Sequence, residues 1–139
     1  MFETFEHTAD IGVRGTADTK EKAFSETAKA MLSVMVDSAK VEEKGRFDIQ
    51  VKADSLENLL IEFLNEILFI LDFKEAIMKT VKVKEIKERA GEFYLTATGF
   101  GETKKEEHEF MTEVKAATYS QLEVKEENGK WIAQCIVDV

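Results

Sequence analysis

The feature that most constrains the fold is the apolar segment from Ser55 to Phe73. Its large aliphatic and aromatic residues recur at helical spacing and cover more than one narrow face: Leu56, Leu59, Leu60, Phe63, Leu64, Ile67, Leu68 and Leu71. Its most apolar stretch, Leu59 to Phe73, is too short and too charged to cross a bilayer, because four polar residues interrupt it: Glu62, Asn65, Glu66 and Asp72. We therefore predict a helix that packs against a sheet.

A second helical period runs from Thr19 to Val36. Its apolar residues are three or four apart and share one face: Ala23, Phe24, Ala28, Met31, Leu32 and Met35. We predict Asp18 as the N-cap of this helix, because Glu21 follows at the spacing of a capping box, and Asp54 with Glu57 repeats the pattern before the apolar helix.

The rest of the chain alternates apolar and polar residues, as half-buried strands do. The predicted strand segments are Ile11–Gly15, Phe47–Val51, Val81–Ile86, Phe93–Ala97, Val114–Val124 and Trp131–Val139. Asn128 and Gly129 supply a hairpin turn before the last one. This order predicts an α+β fold, with two helices packed on one face of a mixed, mainly antiparallel sheet. We expect residues 1–139 to form a single two-layer domain.

Charge and cysteine content narrow the function classes. The 139 residues include 28 acidic and 19 basic side chains, a formal net charge of −9, which argues against broad contact with a phosphate backbone. Cys135 is the only cysteine, so neither an internal disulfide nor a cysteine-based zinc site can form. The first residues lack the basic and apolar regions of a signal peptide, and we expect a cytoplasmic protein.

Two separated segments carry candidate metal or acid–base groups. His7 and Asp10 precede the first predicted strand, where imidazole and carboxylate could share a pocket or simply form a solvated turn. Asp138 lies next to Val139 at the end of an apolar strand, where it either joins a site or faces water in a frayed end. If Asp10 and Asp138 meet, their oxygens suit a hard divalent cation better than a structural zinc.

Other charged residues are weaker candidates. Lys115 alternates with apolar neighbours, so it is either a solvated strand residue or a contact for an anionic ligand or partner. Glu62 and Glu66 interrupt the apolar helix as a solvated stripe, with Glu66 close enough to the sheet edge to support a site. His108 lies in a run of charges, and we predict it to be a surface residue.

Three motifs together resemble the archease family. They are His7–Gly12 (HTADIG), Glu113–Tyr119 (EVKAATY) and Ile136–Val139 (IVDV). The segments 20–24 and 59–66 also fit the family, so the resemblance covers essentially the whole chain.

The resemblance implies a function and a set of residues. Archeases assist the RtcB-type RNA ligase of tRNA splicing, promoting guanylylation of the ligase's active-site histidine and repeated turnover. Carried over, the divalent metal is held by Asp10, Asp138 and Val139, although isoleucine is commoner than valine at the last position. The metal would be Ca²⁺ in a crystal and Mg²⁺ or Mn²⁺ in function. Lys115 would assist at the ligase interface, and His7 and Glu66 would support the site or contact the partner.

The resemblance also implies what the protein does not do. It would be no enzyme itself, would bind neither nucleic acid nor membrane directly, and would be a monomer or weak oligomer. Two alternatives stay open. A small metal-dependent hydrolase would use Asp10, Asp138 and His7, although no nucleophile with an adjacent base is evident. A general chaperone would act through exposed apolar surface, which the charged faces disfavour.

Overall fold

Both predicted helices are present in the computed structural model, which describes residues 1–7, 10–105, 108 and 110–139. Helix α1 spans Lys20–Met35 and helix α2 spans Leu56–Phe73. The predicted N-caps were wrong by one residue in each case, because the hydroxyls of Thr19 and Ser55 accept the hydrogen bonds from the first helical turns.

The predicted capping aspartates make other contacts. Asp54 accepts a hydrogen bond from the side-chain amide of Asn58 at 2.7 Å. Asp18 pairs with the ammonium group of Lys130, and this pair holds the pKa of Asp18 below its ordinary value. A hydroxyl directly before the helix reaches the free N–H groups with less extension than a carboxylate one residue earlier.

The described residues form two antiparallel sheets rather than one mixed sheet. The larger has the order β1-β2-β8-β6, with β7 also paired to β8, and the smaller has the order β3-β5-β4. The strands are β1 (Phe2–His7), β2 (Asp10–Ala17), β3 (Gly45–Ala53), β4 (Ala76–Arg89), β5 (Glu92–Thr103), β6 (Ala116–Ala117), β7 (Glu123–Glu127) and β8 (Lys130–Asp138). The α+β class is therefore confirmed, and the predicted sheet is divided in two.

The strand predicted over Val114–Val124 is broken. The Thr118 N–H and hydroxyl both donate to the Ile136 carbonyl, at 3.0 and 2.8 Å. Gln121 then adopts a left-handed conformation with φ of 50°. The chain turns here, so that β6 and β7 pair separately with β8. The hairpin predicted at Asn128 and Gly129 is confirmed, with φ of 54° and 79° at the two residues.

Helix α1 is fixed to both sheets by buried or half-buried hydroxyls. The Thr27 hydroxyl lies 2.8 Å from the Ala23 carbonyl and 2.9 Å from the Ala133 carbonyl of β8. The Ser25 hydroxyl accepts a hydrogen bond from the Val83 N–H of β4 at 2.9 Å. One apolar cluster, from Val13 and Ala133 in the larger sheet to Ile49 and Leu95 in the smaller, packs beneath both helices.

Glycine at position 15 permits the close approach of β2 to α1. A Cβ at Gly15 would lie 2.1 Å from the Ala23 carbonyl oxygen and 2.5 Å from the Thr27 nitrogen. Both atoms belong to helix backbone, which cannot move aside locally. Within the described ranges, neither helix is both long and apolar enough to span a membrane.

We predict that Gly15→Ala lowers the free energy of unfolding by about 1–3 kcal/mol, since the added methyl forces α1 away from the sheet. Gly45→Ala is the matched control, because a Cβ there meets nothing closer than 3.6 Å. We expect the control to stay within about 0.5 kcal/mol of the unmodified protein. Urea denaturation of the three proteins measures both values, and equal losses would contradict the close packing at Gly15.

Candidate functional site

The pairing of β2 with β8 brings the two candidate aspartates to one end of the larger sheet. Ile11 pairs with Val137 in the antiparallel register, so Asp10 and Asp138 are the next two residues opposite each other. Opposed residues share a face of the sheet, with Cβ atoms typically about 4.5–5.5 Å apart. Asp138 is exposed and Asp10 is half-buried. The first and last candidate segments of the sequence are therefore neighbours.

Lys115 reaches the same place through β6. Ala116 pairs with Asp138, and the Lys115 N–H donates a hydrogen bond of 2.8 Å to the Asp138 carbonyl. Val114 is buried and the Lys115 side chain is exposed, as the alternation predicts. Asp138 thus lies between Asp10 on β2 and Ala116 on β6, and the Lys115 backbone is hydrogen-bonded to it.

Asn65 of α2 fixes β6 at this end of the sheet. Its side-chain oxygen accepts a hydrogen bond of 2.8 Å from the Ala117 N–H, and its side-chain nitrogen donates one of 3.4 Å to the Ala117 carbonyl. The amide therefore pairs with both backbone groups of a buried residue, as a neighbouring strand would. In the sequence, Asn65 is recognisable only as an interruption of the apolar helix, although a carboxamide amid leucines indicates a buried hydrogen-bonding role.

The remaining candidate residues lie around this end. The His7 backbone pairs with Asp10 across the β1–β2 connection, whereas its side chain, Thr8 and Ala9 lie outside the described part of the chain. Glu66 follows Asn65 on α2 and is half-buried. Val139 continues beyond β8 and packs partly against the core.

The β1–β2 hairpin that leads to Asp10 is held by an aromatic–glycine pair. The Phe5 ring lies over Gly12, its partner across the strands, where a Cβ would come within 2.1–2.4 Å of the ring atoms. The Arg14 guanidinium stacks 4.6 Å from the centre of the same ring and pairs with Glu3 at 3.1 Å. Glycine at position 12 therefore has a packing role as well as belonging to the HTADIG motif.

The donor set at the sheet end suits a hard cation only in part. Asp10 and Asp138 offer carboxylate oxygens, the ligand type that Ca²⁺, Mg²⁺ and Mn²⁺ prefer. The described side chains nowhere bring together three or more His, Cys, Asp or Glu residues in a metal-holding arrangement. Two carboxylates on neighbouring strands fit a weakly held ion whose other ligands are backbone oxygens and water.

A second polar cluster lies away from this site, and it corrects the prediction for His108. His108 is only 4% exposed, not a surface residue, and its Nε2 lies 3.0 Å from the carboxylate of buried Glu102. The same carboxylate oxygen accepts a hydrogen bond of 2.8 Å from the Glu42 N–H, and the Lys105 ammonium lies 3.2 Å from the other oxygen. The histidine in this run of charged residues is therefore buried, and its partner, Glu102, lies six residues earlier on β5.

The hydrogen bonds assign the protonation states in this cluster. His108 Nδ1 accepts a hydrogen bond of 2.9 Å from the Lys105 N–H, so the ring proton resides on Nε2 and is donated to Glu102. The Glu42 N–H, His108 and the Lys105 ammonium together lower the pKa of Glu102 from 4.5 to about 2. Glu102 is therefore an ionised carboxylate that ties Lys105 and His108 to β5 and to residue 42.

Cys135 is not a candidate nucleophile. The residue is fully buried in β8, and burial raises the pKa of its thiol to about 12. The thiolate, which is the reactive form, is therefore disfavoured at neutral pH.

An apolar groove of about 530 Å³ opens beside the candidate site. It lies between the C-terminal ends of both helices, the start of β4 and segment 110–114, and it includes Val114, the residue before Lys115. The Met111 and Thr112 N–H groups donate to carbonyls at the end of α1, which closes one wall of the groove.

Comparison with known proteins identifies the family. The model of the archease protein family (MTH1598/TM1083) matches residues 2–139. A protein archease of Pyrococcus furiosus is 40% identical, covering 100% of this chain and 99% of that protein. One from Methanosarcina mazei is 37% identical, covering 99% and 95%. This chain belongs to the archease family.

Solved structures agree with the fold. The solution structure of Methanobacterium thermoautotrophicum protein 1598 has a TM-score of 0.86 and 35% identity, covering 99% of this chain and 98% of that one. A Thermotoga maritima protein described as an archease and possible chaperone has a TM-score of 0.59 at 18% identity, covering 100% and 98%. The second likeness concerns the fold alone.

We predict that Asn65→Ala destabilises β6 by about 1–3 kcal/mol, because the buried Ala117 N–H loses its partner. Hydrogen exchange of the Ala117 amide should become correspondingly faster. Asn58→Ala is the control on the same helix, since among the described residues its side-chain amide bonds to Asp54 alone, at an exposed position. If Ala117 exchanges equally slowly in Asn65→Ala, the amide does not hold β6.

We predict that Glu102 makes stability depend on acid pH. Because its pKa is lowered on folding to about 2, its contribution is complete above about pH 4.5 and is lost as pH falls towards 2. The difference in unfolding free energy between the unmodified protein and Glu102→Gln should therefore shrink over this range. Denaturant titrations at several pH values measure it, and a difference independent of pH would exclude an ionised Glu102.

Proposed function

We propose that this archease activates the RtcB-type RNA ligase of tRNA splicing. In this proposal it promotes guanylylation of the ligase's active-site histidine and thereby restores the ligase for further turnovers. The supporting observation is the meeting of Asp10, Asp138 and Lys115 at one sheet end, since the three come from the three motifs that resemble the family.

The opposed aspartates are the proposed holders of a divalent ion, with Val139 adding a backbone or terminal oxygen. Carboxylates facing each other across paired strands repel, and a cation offsets that repulsion. Mg²⁺ or Mn²⁺ would serve in the cell, and Ca²⁺ would occupy the same oxygens in a crystal. When bound, such an ion supplies positive charge that stabilises a transferring phosphoryl group.

Lys115 supplies a second positive charge in the proposal. Its backbone is fixed to Asp138, while its side chain is exposed and free to reach outward. An ammonium group in that position can contact an anionic group of the ligase or its nucleotide. His7 and Glu66 would orient the aspartates or contact the partner.

The archease itself would carry out no covalent step. The buried Cys135 thiol offers no nucleophile, and the covalent guanylate would form on the ligase histidine. We also propose that the protein works in the cytoplasm as a monomer or weak oligomer. Contact with RNA would be made by the ligase, in keeping with the net charge of −9.

We predict that Asp10→Ala and Asp138→Ala each reduce stimulation of ligase turnover by about tenfold or more, because each removes half of the carboxylate pair. Asp48→Ala is the control, since Asp48 is an exposed strand aspartate of the smaller sheet. Ligase guanylylation and multiple-turnover joining are measured with each protein, with and without EDTA. Circular dichroism establishes that the variants fold.

Full stimulation by both aspartate variants would overturn the assignment of the site. If the variants lose stimulation but EDTA does not affect stimulation by the unmodified protein, the role of the metal is overturned and the role of the two aspartates is kept. The archease is also incubated alone with nucleotides and phosphoesters. Turnover that requires Asp10 and Asp138 in the absence of ligase would establish the hydrolase instead.

A further inference from the structure

One exposed stripe of α2 combines two acidic and two aromatic residues. Glu62, Glu66, Phe69 and Phe73 follow one another at spacings of four, three and four, which places them on one side of the helix. Phe69 is 59% exposed and Phe73 is 73% exposed. Glu62 is exposed and Glu66 half-buried. We call these four residues the acidic–aromatic stripe.

Both halves of the stripe oppose the stability of the isolated protein. Carboxylates four residues apart on a helix repel each other, and neither Glu62 nor Glu66 has an ion-pair partner in the described part of the chain. The two phenyl rings stack with centroids 5.6 Å apart and planes 9° apart, yet both remain largely in contact with water. A surface that covers the rings and brings cations to the carboxylates would remove both penalties.

We infer that the acidic–aromatic stripe docks a protein partner through an apolar patch bordered by lysine or arginine. Charge complementarity selects this occupant, because the carboxylates repel both a nucleic-acid backbone and an anionic lipid surface. The paired rings supply anchors of the kind that dominate protein interfaces, and the glutamates select the partner's sign of charge.

A second copy of the chain is a poorer occupant. The stripe contains no cation, so pairing two stripes would bring four carboxylates together without compensation. Burying unpaired charges costs more than the stacked rings would gain from mutual contact.

The helix that carries the stripe is hydrogen-bonded to the strand beside the candidate site. Asn65, the residue before Glu66, bonds to Ala117 of β6, and the neighbouring Ala116 pairs with Asp138. The helix that presents the stripe is therefore connected, through Asn65 and β6, to the strand end that carries Asp138. The inference rests on the proposed function to the extent that the partner tested is the RtcB-type ligase.

Binding of the cognate RtcB-type ligase is measured by titration calorimetry. Two double variants test the stripe, Phe69→Ser with Phe73→Ser and Glu62→Lys with Glu66→Lys. Tyr94→Ser is the aromatic control, since Tyr94 is 38% exposed on the smaller sheet. Glu43→Lys with Glu88→Lys is the charge control, because it changes two exposed glutamates elsewhere and gives the same net charge. Thermal unfolding verifies that all variants fold.

We expect each stripe variant to weaken ligase binding at least tenfold, and the controls to bind within about twofold of the unmodified protein. If the unmodified protein binds the ligase and both stripe variants bind it with the same affinity, the docking surface is overturned while the proposed function stays intact. If the charge control weakens ligase binding equally, the docking surface is overturned, because the change in net charge then accounts for the loss. Light scattering that shows a dimer dissociated by the phenylalanine variant, with unchanged ligase affinity, would assign the stripe to self-association. Absence of binding by the unmodified protein would overturn the proposed function, and the inference with it.

Discussion

The antiparallel pairing of β2 with β8 is the interaction on which the candidate site depends. Its register opposes Ile11 and Val137, and the buried faces of both strands fix that register against the core. A slip by one residue would turn every side chain of one strand to the other face. Asp10 and Asp138 would then point to opposite sides of the sheet. Burial of apolar side chains along the whole strand pair thus determines which polar groups meet at its end.

Hydrogen bonds from side chains to the backbone fix the positions of helices and strands that apolar packing alone does not specify. Thr27 reaches a carbonyl of β8, and Asn65 serves both backbone groups of Ala117. Thr27 lies on the buried face of α1 and Asn65 lies within the apolar helix α2, and each bonds to the backbone of a buried residue. The short strand β6 has only two residues in the ladder, so Asn65 supplements the pairing with β8 that holds it beside Asp138.

The sequence predicted those features that are governed by local periodicity. Both helices, the hairpin at Asn128 and Gly129, and most strands were foreseen because apolar spacing and turn residues act within a few positions. The division into two sheets, the strand β1 and the break near Thr118 were missed, because strand pairing is decided by partners far along the chain. His108 was misplaced for the same reason: Glu102 and Glu42, which surround it, lie outside its own charge run. The meeting of Asp10 with Asp138 could be suggested only by resemblance, since no local rule specifies which strands are neighbours.

The long separation between the strands that form the sheet end bears on how the protein folds. Arg14 of β2 donates a side-chain hydrogen bond to Gln134 of β8, 120 residues later. Contacts so distant in sequence carry a large loop-closure entropy and form slowly unless intervening elements have already condensed. The helices and the smaller sheet, β3–β5–β4, are made from residues lying between the two strands. During synthesis the helices and the smaller sheet can assemble first, and the edge of β2 that pairs with β8 stays unpaired until β8 has been synthesised. The surface bearing the two aspartates is then among the last parts of the molecule to exist.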